Sequence, residues 1–294
     1  MFAWMVSNMI PGNIRFRGEL SLWEVLEYSF RVYRRGFVNL FTPYLILGAA
    51  FAALNHWALS TLPPFPMMDF TGSGALLDWL FSLSKVILVI GVVGWILTVV
   101  IQGYSVGYSS TLLAGETLKA RELAGRAIRR APRLLAASFT ANLLIGIGLI
   151  LLIVPGVIFA VMFSLIIPVI MLEDRGAFES LSDSRRLVSK RWGKTLTLLI
   201  ILVAAISASE ILGGMIAVAF EPMGYIISVV ITAIVEPIYP VAVTCLYYSM
   251  KAKEAAREEP EMRPKPVPAK YCIECGEPLS PIAVYCPRCG TRQP

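Results

Sequence analysis

Four cysteines, Cys272, Cys275, Cys286 and Cys289, stand close to the end of a 294-residue chain, with two residues inside each pair and ten between the pairs. Thiolates at this spacing can close a tetrahedron around one Zn²⁺, because a two-residue gap in a turn lets both sulfurs of a pair face the same ion. Gly276 and Gly290 follow the second cysteine of each pair, and Tyr271 and Tyr285 precede the first, so the two knuckles are near copies. Glycine reaches positive φ, which lets the backbone curl and aim its amides at the sulfurs. With all four positions taken by protein, no place is left for a water, and one structural Zn²⁺ is expected rather than a catalytic ion. Metal binding, on the order of 10 kcal/mol or more, would supply most of the folding energy of so small a module. Two disulfides or a rubredoxin-like iron would use the same residues; a reducing cytosolic location, argued below, favours zinc. Cys245 has no partner by spacing and reads as a small buried hydrophobe.

A second set of residues is chemical because of where it lies. Glu210 and Glu236 fall inside long apolar runs, accompanied by the weaker candidates Gln102, Asn142, Asn55 and His56. An ionisable group in hydrocarbon is costly and marks a functional site by default. Glu236 precedes Pro237, whose ring frees a carbonyl one turn earlier and opens room for a small polar pocket. If Glu210 faces the same cavity, the two carboxylates can share a proton or hold a cation; otherwise each stays protonated and bonds a neighbouring helix. Hydrolysis and group transfer have no visible apparatus: the chain has one histidine and no glycine-rich phosphate loop. It is expected not to be an enzyme.

The elements that position these residues follow from composition. Hydrophobic residues make up 56% of the chain and charged ones 16%, and the mean hydropathy is +0.69. Runs long enough to cross about 30 Å of hydrocarbon at about 1.5 Å per residue extend over Val38 to Ser60, Phe81 to Leu113, Leu134 to Ile153, Val157 to Leu172, Leu196 to Val218 and Tyr225 to Tyr248. They are too long and too evenly apolar for barrel strands, so the expected fold is all-α and polytopic, with six transmembrane helices. The fourth run, at about 16 residues, is short for a crossing. Pro155 and Gly156 suggest a tight outer turn before it.

Lys and Arg fall on alternate connections. Arg15, Arg17, Arg31, Arg34 and Arg35 precede the first run; Lys119 to Arg133, Arg175 to Lys194, and Lys251 to Arg257 supply the others. The remaining connections offer only Asp69, Asp78 and Glu221. The positive-inside rule then places both termini in the cytosol of a multi-pass protein of the cell membrane. A net charge of +6 is read as topology rather than as affinity for nucleic acid.

Each basic connection has the pattern of an amphipathic, interfacial helix. In the first, Leu22, Val25, Leu26, Ser29, Phe30 and Tyr33 share a face, and Ser21 with Glu24 forms a capping box. Sliding Arg121 to Arg133 and Phe178 to Lys190 onto it aligns Glu24, Glu122 and Glu179, and likewise Phe37, Leu135 and Trp192. Three units of basic helix plus apolar hairpin are expected. The domain plan is therefore a cytosolic segment 1–19, a membrane domain 20–250, a charged proline-rich linker 251–270, and the metal module 271–294.

The stretch Ile153-Val154-Pro155-Gly156, then Pro168 to Leu172, Glu173, Gly176, Glu179, Leu181, Ser184, Leu187 and Trp192, resembles a family of six-helix membrane domains that includes the one attached to some glycerophosphoryl diester phosphodiesterases. Pro240 with Leu246-Tyr247-Tyr248 resembles the end of that domain, while Ser180 and Asp183 depart from its small residues. The resemblance covers about residues 20 to 250 and implies a fold, not phosphodiesterase activity. Residues 271–294 separately resemble the zinc ribbons of prokaryotic, especially archaeal, proteins. Together these imply a non-enzymatic membrane component that embeds in or organises lipid and docks a cytosolic protein through the ribbon. Around it Lys270, Arg288 and Arg292 are offset by Glu274 and Glu277, so protein contact is expected over nucleic acid. The alternative is a transporter or lipid translocator using Glu210 and Glu236.

Overall fold

The computed structural model describes residues 19–61, 73–116, 119–220, 223–262, 270–280 and 283–293. Arg15, Arg17, Asp69, Glu221 and the proline-rich stretch 263–269 lie outside them. The chain divides into a membrane unit, residues 1–252, and a tail unit, residues 253–294.

Among the described residues ten helices run in order: α1 (Leu22–Arg35), α2 (Phe37–Thr61), α3 (Ser73–Ala114), α4 (Ala120–Leu151), α5 (Ile153–Met162), α6 (Ile166–Glu173), α7 (Ala177–Ser189), α8 (Trp192–Ala219), α9 (Met223–Val235) and α10 (Ile238–Met262). Among the described residues six stretches are long and apolar enough to cross a membrane: Phe37–Ala58, Leu76–Ala114, Ala120–Leu151, Ile153–Glu173, Trp192–Ala219 and Met223–Glu254. The all-α, six-span expectation therefore holds, with three differences of detail.

First, the second basic segment is not a separate surface helix. It runs without a break into the third span as α4, 32 residues with Pro132 inside. In the other two units a junction intervenes, at Gly36 and at Lys190–Arg191. Gly36 is required by a close approach, since a Cβ there would sit 2.6 Å from Leu112 Cδ1. Second, the outer turn is Leu152 alone, with extended backbone at φ −161° and ψ 143°, and not Pro155-Gly156. Pro155 occupies the first turn of α5, where a missing N–H costs nothing. Gly156 instead packs on the preceding helix, because a Cβ on Gly148 would lie 2.8 Å from Gly156 Cα. Third, the fourth span is longer than expected but is divided at residues 163–165 into α5 and α6. The sixth is divided at residues 236–237 into α9 and α10. Pro168 and Pro240 each stand third in the helix that follows the break, again a position that has no hydrogen bond to lose.

The three basic segments share one register. Glu24, Glu122 and Glu179 each occupy the third helical residue after the caps Ser21, Lys119 and Gly176, where a carboxylate faces the positive end of the helix dipole. At Ser21 the box is complete: Glu24 N donates to Ser21 Oγ at 3.3 Å and Ser21 N to Glu24 Oε2 at 2.6 Å. These bonds hold the Glu24 carboxyl below its ordinary pKa. Four residues after each cap come Val25, Leu123 and Ser180, and eight after come Ser29, Ala127 and Ser184, all 2% exposed or less.

Each segment leans on the second span of the hairpin before it, and α1 closes the ring on the last span. Leu20 N donates to Ser249 Oγ at 2.9 Å, and Ser29 touches the buried Cys245. Leu123 reaches the surface of α3 over Gly107. Ser184 Oγ accepts from Leu165 N at 3.2 Å and donates to the Met162 carbonyl at 2.7 Å, satisfying both sides of the α5–α6 break. Tyr33 does the equivalent at the α9–α10 break, donating its hydroxyl to the Ile234 carbonyl at 2.7 Å. Burial raises the Tyr33 hydroxyl to about 12, so it remains a donor. Pro43 likewise deprives the Asn39 carbonyl of its helical partner, and Tyr104 donates to that oxygen at 3.2 Å.

Candidate metal centre and membrane cavity

In the tail unit a two-stranded antiparallel sheet, β1 (Lys270–Tyr271) and β2 (Pro278–Leu279), holds the first knuckle open. A bridge between Tyr285 and Arg292 does the same for the second. The knuckles repeat bond for bond: Gly276 N donates to the Cys272 carbonyl at 3.0 Å, and Gly290 N to the Cys286 carbonyl at 2.9 Å. Both glycines have left-handed backbone, φ 71° and 73°, which any side chain would strain.

The four Sγ atoms lie within 4.8 Å of one another, with Cys272 to Cys289 at 3.5 Å and Cys275 to Cys286 at 3.6 Å. A tetrahedron with Zn–S bonds of about 2.3 Å has edges of about 3.8 Å, close to the two shorter separations, so the donor set suits one zinc ion. Two of the sulfurs are held toward negative charge, whereas, against a lowering by the Glu277 amide, burial and the three neighbouring sulfurs push the Cys275 thiol up. The backbone amide of Cys275 lowers the Cys272 thiol, and the hydroxyl and amide of Thr291 hold Cys289 down to about 6. Sequence spacing identified all four ligands but not their main support, Gln293. This residue is 5% exposed, donates Nε2 to Cys272 Sγ at 3.2 Å and accepts from Ile273 N at 3.2 Å. A polar residue four positions beyond the last cysteine has no marking in the sequence that separates it from a tail.

In the membrane unit, Glu210 of α8 and Glu236 at the α9–α10 break line one cavity of about 730 Å³. Asn55 and His56 of α2 line it too, with Tyr44, Phe51, Thr98, Tyr225, Ser228 and Thr232. The two carboxylates are near enough for their charges to interact. Gln102 and Asn142 are elsewhere, on a second cavity of about 680 Å³ bounded by α3, α4, α5, α6 and α8. Thr98 contributes to both, because α3 is the wall between them.

A third polar cluster was not visible in the sequence. Glu173, whose side chain is 7% exposed, meets Lys251 Nζ at 2.8 Å and Arg175 Nε at 3.6 Å and accepts from the Tyr247 hydroxyl. Arg191 pairs with Glu19 at 2.7 Å, and Asp174 bridges Arg130 at 3.2 Å and Arg133 at 2.9 Å. Glu173 and Arg175 are two positions apart and the other pairs between 41 and 172, and they join segments at the ends of the spans that carry the basic residues. These bonds tie the ends of the helices together.

Comparison with curated proteins and with solved structures returned no match. Residues 271–293 match the family model described as zinc-ribbon domain. Residues 74–250, more than half of the chain, match the model described as Domain of unknown function (DUF7847), and with its six apolar helices and its four-cysteine tail the protein belongs to that family of unknown function and carries a C-terminal zinc ribbon.

Proposed function

We propose that this is a non-enzymatic protein of the cell membrane, with both termini in the cytosol, that organises anionic lipid around its three basic helices and docks a cytosolic protein through its zinc ribbon. The observation that carries the docking role is the ribbon's surface. Tyr271, Ile273, Val284 and Tyr285 are all more than half exposed around a metal site closed by four cysteines. A module this small would bury such side chains if folding were their only purpose, and aromatic residues are the usual anchors of protein interfaces. Arg288 is paired with Glu277 at 3.0 Å, which removes charge that a nucleic acid would need.

The lipid role rests on repeated exposure in the basic helices. Trp23 and Phe178, each two residues after a cap, are 75% and 77% exposed; Phe30 and Ile128, each nine after, are 59% and 63% exposed. Arg121 and Arg185 fill the third place in each set. Large apolar side chains among arginines suit the headgroup region of an anionic bilayer. A distant relation of the membrane unit to the domain attached to glycerophosphoryl diester phosphodiesterases is proposed on the residues from Ile153 to Trp192 and on Pro240 with Leu246-Tyr247-Tyr248, without that activity.

The test is affinity capture from gently solubilised membranes, using the intact chain, a chain ending at Lys251, and a chain with Tyr271→Ser and Ile273→Ser. A protein held by the first and lost from both others is expected, with anionic lipid retained by all three. A protein retained after truncation overturns the docking role. The cavity at Glu210 and Glu236 favours a second reading, a transporter or lipid translocator, in which substitution of those residues stops movement of a solute and leaves partner capture unchanged.

A further inference from the structure

We propose that the cavity between α2, α3, α8 and α9 binds an amphipathic organic cation, an ammonium or phosphonium centre carrying apolar groups. The binding site is independent of the ribbon and goes beyond its docking role; it supplies the ligand class that the transporter reading lacks.

The argument begins with uncompensated charge. Glu210 and Glu236 both lie in spans, and among the described residues neither carboxylate has an ion pair or a side-chain hydrogen bond. A carboxylate out of water needs a proton or a positive partner. Three polar side chains of the lining lean toward the partner, because each spends a donor on its own helix. Asn55 Nδ2 donates to the Phe51 carbonyl at 3.1 Å, Ser228 Oγ to the Tyr225 carbonyl at 2.8 Å, and Thr232 Oγ1 to the Ser228 carbonyl at 3.1 Å. What Ser228 and Thr232 have left is acceptor capacity, their hydroxyl lone pairs, and Asn55 keeps its carbonyl oxygen beside one N–H. The lining carries two carboxylates and no lysine or arginine, which matches a cation and opposes an anion.

Size and wall chemistry select among cations. A bare Ca²⁺ or Mg²⁺ needs about six oxygens at about 2.0–2.6 Å, and Leu47, Phe51 and Val229 supply none. About 730 Å³ is instead the size of a small-molecule site, for which the usual range is about 300–1,000 Å³. The rings of Phe51 and Tyr225 can face a diffuse positive charge. Gly48 and Gly213 let the walls approach, a Cβ at either lying 3.0 Å from Val229 Cγ1 and 3.2 Å from Ser228 Cβ, respectively. At Gly214 a Cβ would meet nothing within 4 Å, so this position can take a side chain into the cavity without a clash.

The experiment is equilibrium dialysis of the full chain in detergent micelles against tetraphenylphosphonium, with tetraphenylborate as the anion of matched shape. Saturable binding of the phosphonium, one per chain, and only micelle partitioning of the borate are expected. The double variant Glu210→Gln, Glu236→Gln should weaken phosphonium binding by about tenfold or more. Gly214→Phe should abolish it by occupying the cavity, and this variant decides the matter if the double variant does not fold. Glu274→Gln, on the ribbon, should bind as the parent does. Equal uptake of both probes, or phosphonium binding unchanged in Gly214→Phe, overturns the proposal; neither result bears on capture of a partner by the ribbon.

Discussion

Gln293 Nε2 lies 3.2 Å from Cys272 Sγ, so a residue after the second knuckle supports a ligand of the first. The same side chain accepts from Ile273 N. Removing it leaves the Ile273 amide without this partner and takes one of its donors from the Cys272 sulfur. Groups of this kind around a zinc site change metal affinity by about 10–100-fold. Gln293→Ala should therefore release zinc to a competing chelator at about tenfold lower chelator concentration, read with a zinc indicator, while Gln293→Glu should not restore affinity because it lacks the donor.

Zinc removal should separate the two units. The ribbon's buried core consists of Cys272, Leu279 and Cys286, with Ala283 beside it, too little apolar surface to hold a fold. A strong chelator, or Cys272→Ser, should make residues 270–293 protease-sensitive and leave the melting of the membrane unit unchanged. Protons compete with zinc for the thiolates, so the metal is retained at neutral pH and lost as the pH falls. Zinc release on acidification, followed by the indicator, checks the sign.

The broken spans depend on side chains supplied from the basic helices. Ser184 serves the α5–α6 break and Tyr33 the α9–α10 break. Ser184→Ala and Tyr33→Phe should each cost about 1 kcal/mol, more at Ser184, where a donor and an acceptor are both orphaned. The breaks share no partner, so the costs should add in the double variant. Thermal unfolding in micelles measures all three.

Two glycines of the α8–α9 hairpin should answer the same substitution in opposite ways. A Cβ at Gly224 would be 2.2 Å from the Ile216 carbonyl oxygen and 2.8 Å from Ala217 Cα, backbone that cannot give way. One at Gly214 meets open space. Gly224→Ala should lower the yield of folded, monodisperse protein sharply, and Gly214→Ala should match or exceed the parent, since alanine favours a helix by about 1 kcal/mol over glycine.

Lipid retention should follow the arginines of α1. Basic residues at an anionic surface contribute about 1 kcal/mol each. Arg31→Gln, Arg34→Gln and Arg35→Gln together should reduce co-purifying anionic lipid by a large factor, measured by mass spectrometry against zwitterionic lipid as the internal standard. An unchanged ratio removes α1 from the lipid-binding surface.

The sequence by itself determined the parts of this protein that depend on local physics. Six spans follow from the length of uncharged runs, because hydrocarbon demands a helix of that length whatever lies beside it. The ribbon follows from cysteine spacing and glycine, because ligand geometry is settled within each knuckle. The Ser21–Glu24 cap and the alignment of Glu24, Glu122 and Glu179 are local in the same sense. Only the tertiary structure decided the features that join distant segments. Gln293 at Cys272, Tyr33 at Ile234, and Glu173 with Tyr247 and Lys251 link positions that have no periodicity in common. The outer turn at Leu152 was misplaced onto Pro155-Gly156 because a proline in the first turn of a helix and one in a loop have the same sequence signature. Glu210 and Glu236 could be marked as costly in the sequence, but whether two helices 26 residues apart along the chain turn them toward one space is set by packing. That packing gathers them with Asn55 and His56 and leaves Gln102 and Asn142 on the other side of α3.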